Sequence, residues 1–350
     1  MDKVSSAHHV LKSRAHHVSK SRAHLVLIDG NAVLHRAYHA LPPLTDKEGN
    51  ETHAIYGFLS MLLKIVADLK PTHLIVCFDR PEPTFRKSMY VGYQAHRPKM
   101  DDSLATQLNR TKEVVAAMNI PIYEMAGYEA DDVIGTLAHQ ARVETGLKPV
   151  STKFDEIIII TGDRDILQLV DNHTKVYMPI QGLTNAKLYD EEAVVEKFGV
   201  KSSQIVDYKA LAGDASDNYP GVRGIGPKTA SELLQKFGTI ENVYQAIKDK
   251  TLAANGLSEK VLKALTEYAE DCVMAKKLAT IITDAPVTLE LAKAEVHDLA
   301  TNEALAELEQ LGFSSIMKRL LSSGQTNNET KQKSEETKKE EQSGEQLSFI

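Results

Sequence analysis

Three near-continuous apolar runs punctuate the first half of the chain, and each leads to an aspartate. Leu25-Val26-Leu27-Ile28 precedes Asp29, His73-Leu74-Ile75-Val76-Cys77-Phe78 precedes Asp79, and Ile157-Ile158-Ile159-Ile160-Thr161 precedes Gly162-Asp163. Runs of this length without polar alternation predict strands buried on both faces. Between them, apolar residues recur at helical spacing over about 53–69, 103–118 and 129–145. Strand and helix in alternation predict an α/β fold, a doubly wound, mainly parallel sheet covered on both sides. A strand-like Lys175-Val176-Tyr177-Met178 follows, and the pattern then turns mostly helical to about residue 320.

In such sheets ligands bind beyond the carboxyl ends of the strands, which is where Asp29, Asp79 and Asp163 stand. Three acidic segments, one of them containing Asp163, adjoin predicted elements: Gly127-Tyr128-Glu129-Ala130-Asp131-Asp132, Thr161-Gly162-Asp163-Arg164-Asp165 and Gly213-Asp214-Ala215-Ser216-Asp217. The first opens the third helix, where the dipole alone favours one or two carboxylates. It does not account for the whole set of Asp29, Asp79, Glu129, Asp131, Asp132, Asp163, Asp165, Asp214 and Asp217. Gathered in one cleft, each close pair would repel by about 3 kcal/mol at an effective dielectric of about 20. Divalent cations relieve that repulsion, and a set with oxygen donors only points to Mg²⁺ or Mn²⁺ and away from zinc. Two such ions, about 4 Å apart, suit in-line displacement at phosphorus.

Gly221-Val222-Arg223-Gly224-Ile225-Gly226-Pro227-Lys228-Thr229-Ala230 is a second informative stretch. Pro227 stands where a Walker loop needs lysine directly after glycine, so that reading fails. A glycine turn between helices fits better, with Pro227 at the first helical position and Leu233 and Leu234 on the buried face. Bare amides at that helix start, with Arg223 and Lys228 alongside, can hold a phosphate; a plain helix–helix turn is the simpler alternative. Residues 80–99 form the third stretch. Arg80, Arg86, Lys87, Arg97 and Lys99 stand there against one acid, Glu82, interleaved with Phe85, Tyr90 and Tyr93. Basic residues among aromatics suit single-stranded nucleic acid, by phosphate contact and base stacking.

A net charge of −7 would argue against a nucleic-acid partner if it were spread evenly, but these stretches concentrate the positive charge. Two cysteines, Cys77 and Cys272, cannot build a disulfide framework, and no apolar run is long enough to span a bilayer. A cytoplasmic protein with no membrane partner is expected. Ala7-His8-His9-Val10-Leu11-Lys12-Ser13-Arg14 repeats as Ala15-His16-His17-Val18-Ser19-Lys20-Ser21-Arg22, so residues 1–24 read as a disordered tail of duplicated sequence. From Ser322 the polar, aperiodic chain also reads as disordered, ending in Gln346-Leu347-Ser348-Phe349-Ile350.

Asp29-Gly30-Asn31, Phe78-Asp79-Arg80, Tyr128 to Asp132, Thr161 to Asp165 and Gly213-Asp214-Ala215-Ser216-Asp217-Asn218 occur in the order seen in 5′ nucleases. Over about residues 25–320 the chain resembles the 5′→3′ exonuclease and flap endonuclease family, above all the N-terminal domain of bacterial DNA polymerase I, here expected free-standing. The resemblance implies a PIN-like α/β nuclease core over 25–200 with a helical arch at about 80–100, and a helical DNA-binding region with a helix–three-turn–helix over 201–321. It implies that the nine carboxylates bind two ions, and that the turn carrying Gly221, Arg223, Gly224, Gly226, Lys228 and Thr229 grips duplex DNA, often with K⁺. It gives the arch residues Arg86, Lys87, Tyr93 and Arg97 catalytic roles. The family's arch lysine is replaced here by Gln94, within Tyr93-Gln94-Ala95-His96-Arg97. The C-terminal Gln346, Leu347, Phe349 and Ile350 resemble, in a 322–350 tail, the peptide by which replication proteins bind the sliding clamp. The expected activity is Mg²⁺-dependent cleavage of DNA 5′ flaps, nicked ends and single-stranded 5′ ends, with RNA primers included, by a monomer. An acidic-cleft ribonuclease and a silent branched-DNA binding protein are the alternatives.

Overall fold

The structure, a computed structural model, describes residues 24–142, 154–181, 185–249 and 258–322. The repeat-bearing tail before His24, the end of the helix expected to reach 145, and the peptide Gln346–Ile350 lie outside the described residues.

The long apolar runs become the centre of a six-stranded sheet. Its strands are β1 (His24–Asp29), β2 (His73–Cys77), β3 (Ile122–Tyr123), β4 (Glu156–Ile160), β5 (Thr174–Gln181) and β6 (Asn185–Tyr189), in the order β3-β2-β1-β4-β5-β6. All neighbours run parallel except β6, which returns antiparallel along β5. In register, Leu27 lies between Ile75 and Ile159. Alternation along each strand sends Leu25, Leu27, Ile157 and Ile159 to one face and Val26, Ile28, Ile158 and Ile160 to the other. The chain turns from one side of β1 to the other between β3 and β4, so a crevice opens beyond the carboxyl ends of the central strands.

Helices α1 (Gly30–Ala40), α2 (His53–Leu69) and α4 (Asp102–Ala117) cover the second face with Val33, Leu34, Phe58, Leu62, Val114 and Val115. The short α3 (Phe85–Met89) lies between them in sequence. The first face is covered by α5 (Ala130–Arg142) through Val133, Ile134 and Leu137. Helix α1 follows β1 without a loop, and its first residue must be small. A Cβ on Gly30 would lie 2.3 Å from the ring of Phe78, which is fully buried and stacked on Phe58. Burying such a ring contributes about 1.5–3 kcal/mol, so Gly30 is the condition for that packing.

Beyond the sheet come α6 (Glu191–Phe198), α7 (Ile205–Ala212), α8 (Pro227–Phe237) and α9 (Ile240–Lys248), then helices Glu259–Glu267 and Ala269–Ala279. The last described stretch turns back. Leu308, Phe313, Ile316 and Leu320 join the α2–α4 side of the core, and Phe313 meets Tyr56 edge-on at 5.3 Å. Residues 302–320 thus pack on the α2–α4 side of the sheet. Among the described residues, no helix is long and apolar enough to cross a membrane.

Candidate active site

Asp29 ends β1 and caps α1, accepting a hydrogen bond from the Ala32 N–H at 2.9 Å. Thr161, at the end of β4, donates its hydroxyl to Asp29 Oδ2 at 2.7 Å and accepts the Asp163 N–H at 3.0 Å, so one side chain ties two strand ends together. Asp79, just past β2, accepts the Ala130 N–H at 2.7 Å and so caps α5, while its own N–H donates to Asn31 Oδ1 at 2.9 Å. Burial, with Asp79 and Asp163 close by, pushes the Asp29 carboxyl up to about 7. Burial raises Asp79 and Asp163 as well. The three strand-end aspartates therefore meet, as their positions in sequence suggested.

Asp131 projects into the same group. Burial and the charges of Asp163, Asp29, Glu129 and Asp79 push its carboxyl well above the usual range. Burial likewise raises Glu129 to about 7, against the pull of Arg86. Glu129 accepts from Thr84 Oγ1 at 3.2 Å and from the Tyr93 hydroxyl at 3.1 Å. Asp132 is different. It is fully buried, and its two oxygens take the Arg86 fork at 2.7 and 2.8 Å together with the N–H groups of Glu129 and Ile282 at 3.1 and 2.8 Å. With those acceptors filled, the structure does not bring Asp132 to the open cleft with its neighbours.

Asp165, Asp214 and Asp217 place carboxylate oxygens within 4.8 Å of one another. Asp165 opens the 3₁₀ turn Asp165–Leu169, and the other two lie on the loop after α7. Lys209, on the last turn of α7, pairs with both Asp165 and Asp214. Burial acts to raise Asp214, but Lys209 and Ser216 outweigh it and hold its carboxyl below the ordinary value. Asp217 is raised by burial despite Arg97, which binds Oδ1 at 2.7 Å.

The basic stretch folds over this cluster as α3 and a run of turns. Its cations divide into two kinds. Arg86 is 2% exposed and also donates to the carbonyls of Leu278 at 2.9 Å and Thr280 at 2.7 Å, so its guanidinium is committed inside the protein. Lys87 and Lys99 are exposed, and Arg97 is half-exposed on Asp217. Tyr93 is buried; its hydroxyl lies between Glu129 and Asp217, and its ring stacks on Tyr219 at 6.4 Å. It is therefore not presented to stack on a base. Gln94 has a left-handed backbone (φ +54°) and donates its side-chain amide to Asp217 Oδ1 at 3.2 Å and its N–H to the Asp217 carbonyl at 2.8 Å.

The glycine turn joins α7 to α8. Pro227 is the first residue of α8, and Leu233 and Leu234 are buried. Gly226 provides no side-chain cap, and Arg223, Gly224 and Lys228 are exposed beside that helix start, with Thr229 half-buried. Gly221 is buried, its Cα against the backbone of Gly213 and Leu211, so it fixes the turn to the Asp214 loop and does not face outward.

Two family models divide the chain where the sheet gives way to helices. The 5′–3′ exonuclease N-terminal resolvase-like domain matches residues 24–199, and the 5′–3′ exonuclease C-terminal SAM fold matches residues 200–302. The chain belongs to the 5′–3′ exonuclease family. Among curated relatives, this chain is 42% identical over 296 residues to DNA polymerase I of Bacillus caldotenax, covering 85% of its own length and 32% of that protein. It is 42% identical over 287 residues to DNA polymerase I of Deinococcus radiodurans, covering 81% of this chain and 28% of the relative. The chain thus spans about a third of the length of these relatives. Its fold is that of the T5 D15 protein co-crystallised with metal ions (TM-score 0.59, 17% identity, 85% of this chain and 98% of the other). The catalytic core of Rad2 in complex with DNA substrate shares it more distantly (TM-score 0.51, 16% identity, 86% and 93%).

The sequence gives no role to four residues of the cleft. Asn31, Thr84 and Thr161 hold the acidic groups in place, and Lys209 neutralises two of them. Asn31 and Thr161 at least adjoin strand-end aspartates. Lys209 carries no local mark, because a lysine on a helix reads as a solvated side chain.

Proposed function

We propose that this protein hydrolyses phosphodiester bonds of DNA at 5′ flaps, nicks and single-stranded 5′ ends, with RNA primers among its substrates, in replication and repair. One observation carries the reading: Asp131 stands among Asp29, Asp79, Glu129 and Asp163 so closely that their charges oppose its ionisation. A buried all-oxygen cluster of this kind is unfavourable unless protons or cations neutralise it, and it fits hard divalent ions.

Asp29, Asp79, Glu129, Asp131, Asp163, Asp165, Asp214 and Asp217 would hold two Mg²⁺ or Mn²⁺ ions, and Asp132 would brace them from below. When bound, the ions would supply an acidified water and charge neutralisation at the phosphate. The chain's own residues do the rest. Thr161 and Asn31 orient the strand-end carboxylates, Arg97 and Lys87 offer positive charge where a 5′ strand would pass, and Tyr93 holds Glu129 and Asp217 to the arch. The uncapped start of α8, with Arg223, Gly224, Gly226, Lys228 and Thr229, would hold duplex phosphates and a K⁺ ion. Gly221 would serve that grip by fixing the turn. The buried free cysteines Cys77 and Cys272 support a cytoplasmic setting, and a monomer suffices for every part of the site. Gln346, Leu347, Phe349 and Ile350 would tether the enzyme to a sliding clamp, which deletion of residues 346–350 tests.

The decisive assay compares labelled 5′-flap DNA with a matched RNA, with and without Mg²⁺, for the natural chain and Asp163→Ala. Metal-dependent flap cleavage lost in the variant is expected. Preferential RNA cleavage would favour a ribonuclease, and binding without cleavage a silent branched-DNA protein.

A further inference from the structure

On α1, one helical turn brings His35 and His39 together on an exposed face. Their Nε2 atoms lie 3.3 Å apart, with ring centroids separated by 4.4 Å. Two bonds of about 2.0–2.1 Å to one tetrahedral ion set their nitrogen donors about 3.3–3.4 Å apart. The pair thus already stands at the separation of two imidazoles sharing a zinc-like ion. We propose that His35 and His39 form a transition-metal site for Zn²⁺, Ni²⁺ or Cu²⁺, with donors distinct from those of the acidic cleft.

The surroundings support this. The His39 ring is met edge-on by Tyr38 at 5.2 Å, and Tyr38 in turn lies over the buried His53 ring at 4.8 Å, so His39 has a fixed neighbour on its protein side. Partial burial, then His39 and the guanidinium of Arg97, lower the pKa of His35 and so favour the neutral imidazole that binds metal, while the same guanidinium opposes the charge of a bound ion. In the ion-free protein the two nitrogens share a proton in a hydrogen bond, and an ion replaces that proton. The two donor sets also sort ions by chemistry. Imidazole nitrogens select zinc, nickel and copper, whereas the carboxylates of the cleft suit magnesium and manganese. Two histidines leave the remaining coordination positions to solvent, so the site would hold an exchangeable ion and not one essential to the fold.

The test uses the full chain with His8, His9, His16 and His17 changed to glutamine, because those histidines would compete for the ion. Zn²⁺ is titrated calorimetrically in saturating Mg²⁺ into this parent and into the same chain carrying His35→Gln and His39→Gln. The parent should take up one equivalent more than the variant, and Zn²⁺ should raise the thermal midpoint of the parent above that of the variant. With Cu²⁺, the parent's paramagnetic resonance spectrum should show coupling to two imidazole nitrogens that the variant lacks. Both positions are exposed, so equal midpoints without added metal will establish that the variant folds. Coincident isotherms in two folded chains would overturn the site.

Discussion

Arg86 and Asp132 meet as a two-pronged ion pair, Nη1 to Oδ2 at 2.7 Å and Nη2 to Oδ1 at 2.8 Å, with both side chains buried. Nε and Nη2 of Arg86 also donate to the carbonyls of Leu278 and Thr280, and Nη1 lies 3.4 Å from Glu129, so one guanidinium joins α3, α5 and the end of the helix Ala269–Ala279. Removing one member of a buried pair leaves the other charge uncompensated, at a cost of about 3–5 kcal/mol. Arg86→Gln should therefore lower the urea unfolding free energy by about that amount, while the exposed Lys87→Gln should change it by no more than about 0.5 kcal/mol. Equal, small effects would mean that Arg86 is not the brace described above.

Gln94 lies beside Asp217, the carboxylate that Arg97 also holds. A lysine there adds a positive charge at the rim of the acidic cluster without requiring a new backbone conformation, since Gln94 already occupies the left-handed region. Positive charge poised for a phosphate acts on the transition state more than on the ground state. Gln94→Lys should speed single-turnover flap cleavage by about three- to tenfold, or about 0.7–1.4 kcal/mol in the barrier. An unchanged or slower rate would show that the amide is adequate at this position.

The raised carboxylates also give the metal-free protein an unusual dependence on pH. Asp29 and Glu129 both titrate at about 7 when folded, chiefly through burial. Unfolded, such groups titrate near about 4, so between the two values the folded chain binds more protons. Stability must then fall as pH rises through that window and level off above it. In chelator, the urea midpoint should be higher at about pH 5.5 than at about pH 8, and Mg²⁺ should reduce the difference by replacing the protons. A midpoint that rises over this range in chelator would contradict the assigned shifts.

What the sequence disclosed and what it withheld have physical causes. Strands buried on both faces announce themselves, as Leu25–Ile28 and Ile157–Ile160 do, because both sets of side chains must be apolar. Helix α2 was legible in full for a similar reason, its buried stripe being long and regular. Strand β3 has two residues and β6 is partly exposed, so neither carries a buried pattern. Helix α1 was hidden by its start, where Asp29 both ends a strand and caps the helix. The approach of Asp29, Asp79 and Asp163 to one another was legible because strand ends converge by topology. The burial of Arg86 could not, since a charge count is the same for a solvated arginine and for one held by Asp132, Leu278 and Thr280.

The contact between the glycine turn and the acidic loop supplies a final prediction. A Cβ on Gly221 would lie 2.3 Å from the Gly213 nitrogen and 2.5 Å from the Leu211 carbonyl oxygen, both backbone atoms at the end of α7. Gly213 has a left-handed backbone (φ +74°) and immediately precedes Asp214. Gly224 shares the left-handed region (φ +91°), but a Cβ there would meet nothing within 4 Å. Gly224→Ala should therefore cost about 1–2 kcal/mol of local strain and leave the carboxylates where they are. Gly221→Ala cannot be absorbed by turning a side chain. It should cost more than about 1–3 kcal/mol, the usual range for overpacking, because the loop bearing Asp214 and Asp217 has to shift. The two variants then differ in kind: Gly221→Ala should weaken Mn²⁺ binding measured by calorimetry, whereas Gly224→Ala should weaken duplex binding with ion affinity retained. Equal ion affinities in both variants would show that the turn and the acidic loop are not coupled through this contact.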